Sequence, residues 1–307
     1  QLFYDARDER LSQDSYMSCA SCHNDGDQDG RVWDFTSLGE GLRNTIELNG
    51  RAGTGHGALH WSANFNEVHD FEGQIRNFAG GTGLMSDIAY FQGTRSQPLG
   101  DDKAGISTEL DALSAYVTSL VSFPDSPYRN ADGTLTPDGE LGLLVFEREN
   151  CAQCHTPLKF TDSLDETTLH DIGTITTASG NRLGGPLAGI DAPTLIGVWQ
   201  TRPYLHDGSA HDVSEAVTAH QGLGISITTE ELQQIAAYLE QLDSVTRGIS
   251  NNAPVSPVKF GSVTVNQINA GAWQTVNFAQ PFAAAPIVVM GPPSLAIRTR
   301  RLFACAT

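Results

Sequence analysis

Cys19-Ala20-Ser21-Cys22-His23 and Cys151-Ala152-Gln153-Cys154-His155 are two copies of one pattern, C-x-x-C-H, in a chain of 307 residues with five cysteines. The pattern reads as covalent c-type haem attachment. Two thiols at this spacing add across the two vinyl groups of one porphyrin, and the adjacent imidazole reaches the iron from the same face. A redox dithiol needs neither the following histidine nor a second copy, and a four-cysteine zinc site leaves both histidines unused. Two covalently bound haems are therefore expected, through Cys19/Cys22 and Cys151/Cys154, with His23 and His155 as proximal ligands. Cys305 is left over, as a free thiol or half of a bridge outside the chain. Attachment of this kind belongs to the outer side of the bacterial inner membrane, so a periplasmic or extracellular protein is expected.

Outward from the motifs, the chain reads as a duplication. Ser107–Leu120 (STELDALSAYVTSL) and Thr229–Leu242 (TEELQQIAAYLEQL) match at one constant offset, and their apolar residues fall on one face of a helix. Thr228 with Glu231 forms a capping box for the second. Each helix would close a small haem module. An opening helix is clearest at Pro137–Arg148, running straight into the second motif. The expected fold is mainly α: two class I cytochrome c-like haem domains in tandem, residues 1–130 and 131–247, divided near the Pro- and Gly-rich stretch Phe123–Gly133. After a polar linker, 248–307 turns β-rich, with Val263, Val265, Val276, Phe278, Ile287 and Val289 as strand residues.

Composition narrows the function. With 39% hydrophobic residues the chain can bury a core. Asp plus Glu number 36 against 18 Lys plus Arg, a net charge of −18. That excess excludes nucleic-acid binding by phosphate neutralisation and favours cationic partners, such as a basic redox protein. No apolar run is long enough to span a membrane. The opening at Gln1, without a basic or apolar leader pattern, is what a processed mature chain would show.

Over residues 1–245 the sequence resembles the bacterial di-haem cytochrome c peroxidases, including the MauG branch. The most specific match is Ala192–Gly208, APTLIGVWQTRPYLHDG, close to that family's second-haem signature. The resemblance implies a calcium ion between the halves, on the Asn44 side chain and the Thr201 and Pro203 carbonyls. Neutral oxygens of this kind suit calcium, although Asn44 reads equally as a turn residue. It also implies an inter-haem aromatic at Trp61, as an electron path or as packing. The tail weakly resembles an H-type lectin-like β module, which would attach the protein to a surface polymer or to other subunits.

Departures from the family pattern weigh against its chemistry. Where the peroxidases carry a methionine ligand to the second haem, this chain has His220, which predicts bis-imidazole iron with His155. The loop Trp33–Glu40 lacks the displaceable histidine, and the stretch after Gly73–Asn77 lacks the acid–base glutamate. His60 stands where an aromatic should line the first pocket and is the expected sixth ligand there, with His56, His69 and Met85 as alternatives. Electron transfer between six-coordinate haems is the leading expectation. A hydrogen-peroxide-dependent peroxidase or MauG-like oxidase, and a surface-anchored binding protein, remain open beside it.

Overall fold

The computed structural model describes residues 1–164 and 167–244 in full, and the backbone of 259–263, 286–290 and 300–306. Its contacts divide the chain into two units, Gln1–Arg247 and Gly248–Thr307. The first unit is helix-rich: α1 (Phe71–Asn77), α2 (Asp87–Tyr90), α3 (Thr108–Ser119), α4 (Pro137–Arg148), α5 (Val213–Thr218) and α6 (Thr229–Leu239). Its strands are short hairpins, β1 (Val32–Asp34) with β2 (Leu42–Asn44), and β3 (Asn181–Arg182) with β4 (Gly185–Pro186).

The closing helices form where their apolar spacing places them. Ser107 caps α3 by accepting the Leu110 N–H, and Leu110, Leu113 and Val117 pack with Val68 and Ile75. In the second half the Thr228–Glu231 capping box starts α6, while Thr136 caps α4 with Pro137 in its first turn. These two helices cross closely because Gly142 has no side chain. A Cβ there would meet the Gln234 carbonyl and stand 2.8 Å from Tyr238 Cβ. Phe146 then reaches Tyr238 edge-on, ring centres 5.5 Å apart. Crossing α6 in this way fixes the end of α4, from which the second motif leaves.

The stretch Phe123–Gly133 is not slack. Phe123 is buried, the Ser126 N–H donates to Asp243 at 2.8 Å, and Arg129 pairs with the same carboxylate at 3.0 Å. In the second unit β5 (Lys259–Val263), β7 (Arg300–Ala306) and β6 (Pro286–Met290) form an antiparallel sheet in that order. Val263, Ile287 and Val289 lie on these strands, whereas Val265, Val276 and Phe278 fall outside the described residues. Cys305 sits on β7 opposite Ile287, its side chain outside what is described. Among the described residues no helix is long and apolar enough to cross a membrane.

Candidate functional site

The two motifs fold alike. Each is a short 3₁₀ turn in which the histidine N–H donates to the first cysteine carbonyl, at 2.9 Å for His23 and 3.0 Å for His155. In the second half α5 runs into another 3₁₀ turn, Ala219–Leu223, which carries His220 back over the motif. The His155 and His220 rings lie with centres 6.5 Å apart and planes inclined at 55°. His155 Nδ1 lies 3.3 Å from the Phe160 carbonyl and His220 Nδ1 2.8 Å from that of Ala216. A carbonyl only accepts, so each Nδ1 carries the proton and each Nε2 keeps its lone pair. A metal ion held by two imidazoles needs ring centres about 6 Å apart, from bonds of about 2 Å plus the depth of each ring. The pair therefore fits a haem iron between them. Burial pushes His155 down to about 4 and lowers His220, so both are neutral, as ligation requires. Beside the motif, Cys154 Sγ lies 3.6 Å from His170 Nδ1, and His170 Nε2 is 2.7 Å from Asp162.

The first motif opens on a cavity of about 390 Å³, lined by Cys19, Cys22 and His23 among mostly apolar walls. Of the four candidates for the far side of this haem, His60 lines the cavity. His56 packs edge-on against Phe123, 5.7 Å between ring centres. His69 faces Glu67 at 3.2 Å and Asp111 at 3.0 Å, one carboxylate per ring nitrogen. Met85 belongs to the apolar core. The His60 ring rests on Phe65 and Phe71, at 4.3 and 5.1 Å, with its backbone at φ +68°. Its Nδ1 is 2.7 Å from Asn64 Oδ1, and its Nε2 has a long 3.4 Å contact to the Gln74 amide. Asn64 in turn donates to Glu40. Glu40 also lines the cavity, so a carboxylate reaches this pocket from a part of the chain that carries no catalytic motif.

Between the halves, three bonds converge on Asn44. Its N–H donates to the His206 carbonyl at 2.6 Å, its carbonyl accepts from Trp61 Nε1 at 2.8 Å, and its amide presses on the Pro203 carbonyl. Trp61 lines the first cavity, and its own carbonyl accepts from the second-half Asp191 N–H at 2.8 Å. Arg182, also from the second half, donates to the carbonyls of Ser62 at 2.6 Å and Ala63 at 3.0 Å. The carbonyls flanking Thr201, those of Gln200 and Arg202, accept from Gln28 at 3.5 and 3.1 Å.

No family model matches the chain. Hydrazine synthase subunit gamma of Kuenenia stuttgartiensis is 26% identical over 277 residues, covering 75% of this chain and 73% of the relative. Cytochrome c peroxidase Ccp of Escherichia coli is 27% identical over 278 residues; 78% of this chain matches only 56% of that enzyme. Methylamine utilization protein MauG of Methylophilus methylotrophus is 24% identical over 293 residues, covering 83% of this chain and 84% of the relative. The fold is shared with a solved MauG-like protein associated with microbial copper homeostasis, with a TM-score of 0.54 at 24% identity over 80% of this chain and 88% of that one. These likenesses support a place for the chain among the di-haem cytochrome c peroxidases and MauG proteins.

Haem is the cofactor of these relatives, and the paired motifs, the neighbouring imidazoles and the apolar cavity fit two of them. The calcium ion that the resemblance implies would find a suitable donor in Asn44. Its Oδ1 is buried without a hydrogen-bond partner among the described residues, while its amide nitrogen crowds Pro203. Turning the amide over would aim Oδ1 and the Pro203 carbonyl at one point, which two oxygens tolerate only with a cation between them. Sequence reasoning missed Glu40, Asn64 and Arg182, single polar residues with no spacing pattern to mark them.

Proposed function

We propose that the protein is an electron-transfer cytochrome of the di-haem peroxidase-like family with both irons six-coordinate. His23 and His60 would ligate the first haem, on Cys19/Cys22, and His155 and His220 the second, on Cys151/Cys154. The observation that carries this reading is the closeness of the His155 and His220 rings, centres 6.5 Å apart, each Nδ1 tied to a carbonyl. When bound, the haems supply reversible one-electron exchange at iron. The chain holds both imidazoles of each pair neutral, keeps them oriented and excludes water with the surrounding apolar side chains. Trp61, bonded to Asn44 on one side and Asp191 on the other, would serve as an aromatic on the route between the centres. A calcium ion on Asn44, Thr201 and Pro203 would brace that route. The net charge of −18 suits a basic redox partner, and covalent haem attachment suits a periplasmic or extracellular setting.

The second reading is peroxide chemistry at the first centre, which the 390 Å³ cavity favours. There His60 would move off the iron site and hold or deliver a proton at Nε2, a role open to imidazole. Stopped-flow mixing of fully oxidised and half-reduced protein with hydrogen peroxide separates the two. Electron transfer alone predicts inertness in both states and a ferric spectrum without high-spin bands. Rapid, stoichiometric peroxide consumption by either state would replace it with the second reading.

A further inference from the structure

The bonds around His60 leave only one assignment of its protons. Glu40 is mostly buried, its side chain 13% exposed, and it is paired with the Arg43 guanidinium at 3.1 Å. Arg43 is itself anchored by donating to the carbonyls of Leu42 at 2.7 Å and Ser179 at 2.8 Å. One Glu40 oxygen accepts from Arg43 and from the Ser62 hydroxyl, 2.9 Å away, and the other faces the Asn64 amide. A carboxylate beside a guanidinium only accepts, so Asn64 must turn its NH₂ toward Glu40. Its oxygen then faces His60 Nδ1, which must carry the proton. His60 Nε2 is left with a lone pair in the wall of the cavity that His23 also lines, opposed among the described residues only by the 3.4 Å contact from Gln74, beyond ordinary hydrogen-bond length.

We infer that Asn64 and Glu40 are positioning residues for the first haem, holding His60 as the Nε2 donor to its iron. The inference rests on the reading of His60 as a ligand. A hydrogen bond to the far nitrogen fixes ring rotation and makes an imidazole a stronger donor, as partners of metal-bound histidines do elsewhere. Here the bond comes through a neutral amide, and its direction is set by a charge one residue further back. Replacing Glu40 by Gln removes the constraint on the Asn64 amide, because two facing amides pair in either sense. Replacing Asn64 by Ala removes the acceptor altogether. Asp at position 64 still accepts from Nδ1–H.

The test uses the haem-loaded protein, with electron paramagnetic resonance for spin state and a redox titration for potential. His60→Ala is expected to abolish one low-spin signal, which identifies the first haem. Asn64→Ala is expected to convert part of that signal to high spin and raise that haem's potential. Glu40→Gln should shift it the same way by less, Asn64→Asp should keep it low-spin, and the second haem should not change in any of them. An Asn64→Ala protein with that signal and potential unaltered, or an Asn64→Asp protein as disturbed as Asn64→Ala, would overturn the positioning role alone. Two intact low-spin signals in His60→Ala would overturn the ligand reading, and the positioning role with it.

Discussion

If His220 ligates the second iron as proposed, one side chain decides the character of that centre. A methionine there would give a mixed His/Met iron, whereas the imidazole of His220, its Nδ1 bonded to Ala216 at 2.8 Å, offers a stronger donor. His220→Ala is expected to leave the second iron five-coordinate and high-spin, visible in the ferric absorption spectrum. His220→Met should stay low-spin with a raised potential, and an unchanged low-spin spectrum in His220→Ala would show that another group holds the iron. The residue was singled out through the family likeness, at the position of the peroxidases' methionine, and the structure places its ring 6.5 Å from that of His155. His60 was only one of four candidates, since loop residues at similar distances from a motif have no period to rank them. The structure separates them by placing His60 in the wall of the cavity that His23 also lines and His69 between two carboxylates. Asn64 and Glu40 were invisible for the same reason, being brought together across 24 residues of irregular chain.

Helices and turns were the most readable scale, because capping and apolar spacing are written within a dozen residues. Thr228 and Glu231 form the capping box, and Pro137 opens a helix ending at Arg148, as their spacing indicates. The contact between α4 and α6 was not readable, because a glycine in a helix does not announce which neighbour it admits. Gly142 is buried against the Gln234 carbonyl, an atom that cannot swing aside. Alanine at 142 would gain about 1 kcal/mol of helix propensity. It would lose more by forcing α4 and α6 apart, since overpacking costs ~1–3 kcal/mol and backbone contacts lie at the upper end. Gly142→Ala is therefore expected to lower the unfolding midpoint by roughly 2–8 °C in a thermal melt of the haem-loaded protein. A midpoint equal to or above that of the parent would mean that the helices separate at no cost. Because α4 leads into Cys151, such a shift should also broaden the second haem's spectrum more than the first's.

On the scale of the whole haem-binding unit, the two halves meet through polar bonds to a few backbone groups. Asn44, Trp61 and the 62–63 carbonyls receive Pro203, His206, Asp191 and Arg182 from the second half. This joint could be anticipated from the sequence only through family likeness, since its ligands are largely carbonyls, which every residue has. Its weak point is Asn44 Oδ1, buried and unpartnered among the described residues, where a missing bond costs about 1–3 kcal/mol. Calcium on that oxygen and the Pro203 carbonyl would remove the penalty and tie the halves together. Metal analysis after dialysis into calcium-free buffer is expected to find about one calcium per chain. Chelation should lower the unfolding midpoint and re-addition restore it, by an amount that grows with the logarithm of free calcium over its dissociation constant. Asn44→Ala should lose the metal and the calcium dependence together while keeping both haems. Magnesium should substitute poorly, since it prefers small octahedral sites with its own waters. A protein free of calcium, whose melting is indifferent to millimolar additions, would mean that the Asn44 amide meets Pro203 directly and the joint needs no ion. Trp61 gives a second readout, because its indole bonds the same residue at 2.8 Å. Its fluorescence or near-ultraviolet dichroism should follow the calcium titration with the same midpoint as the thermal shift.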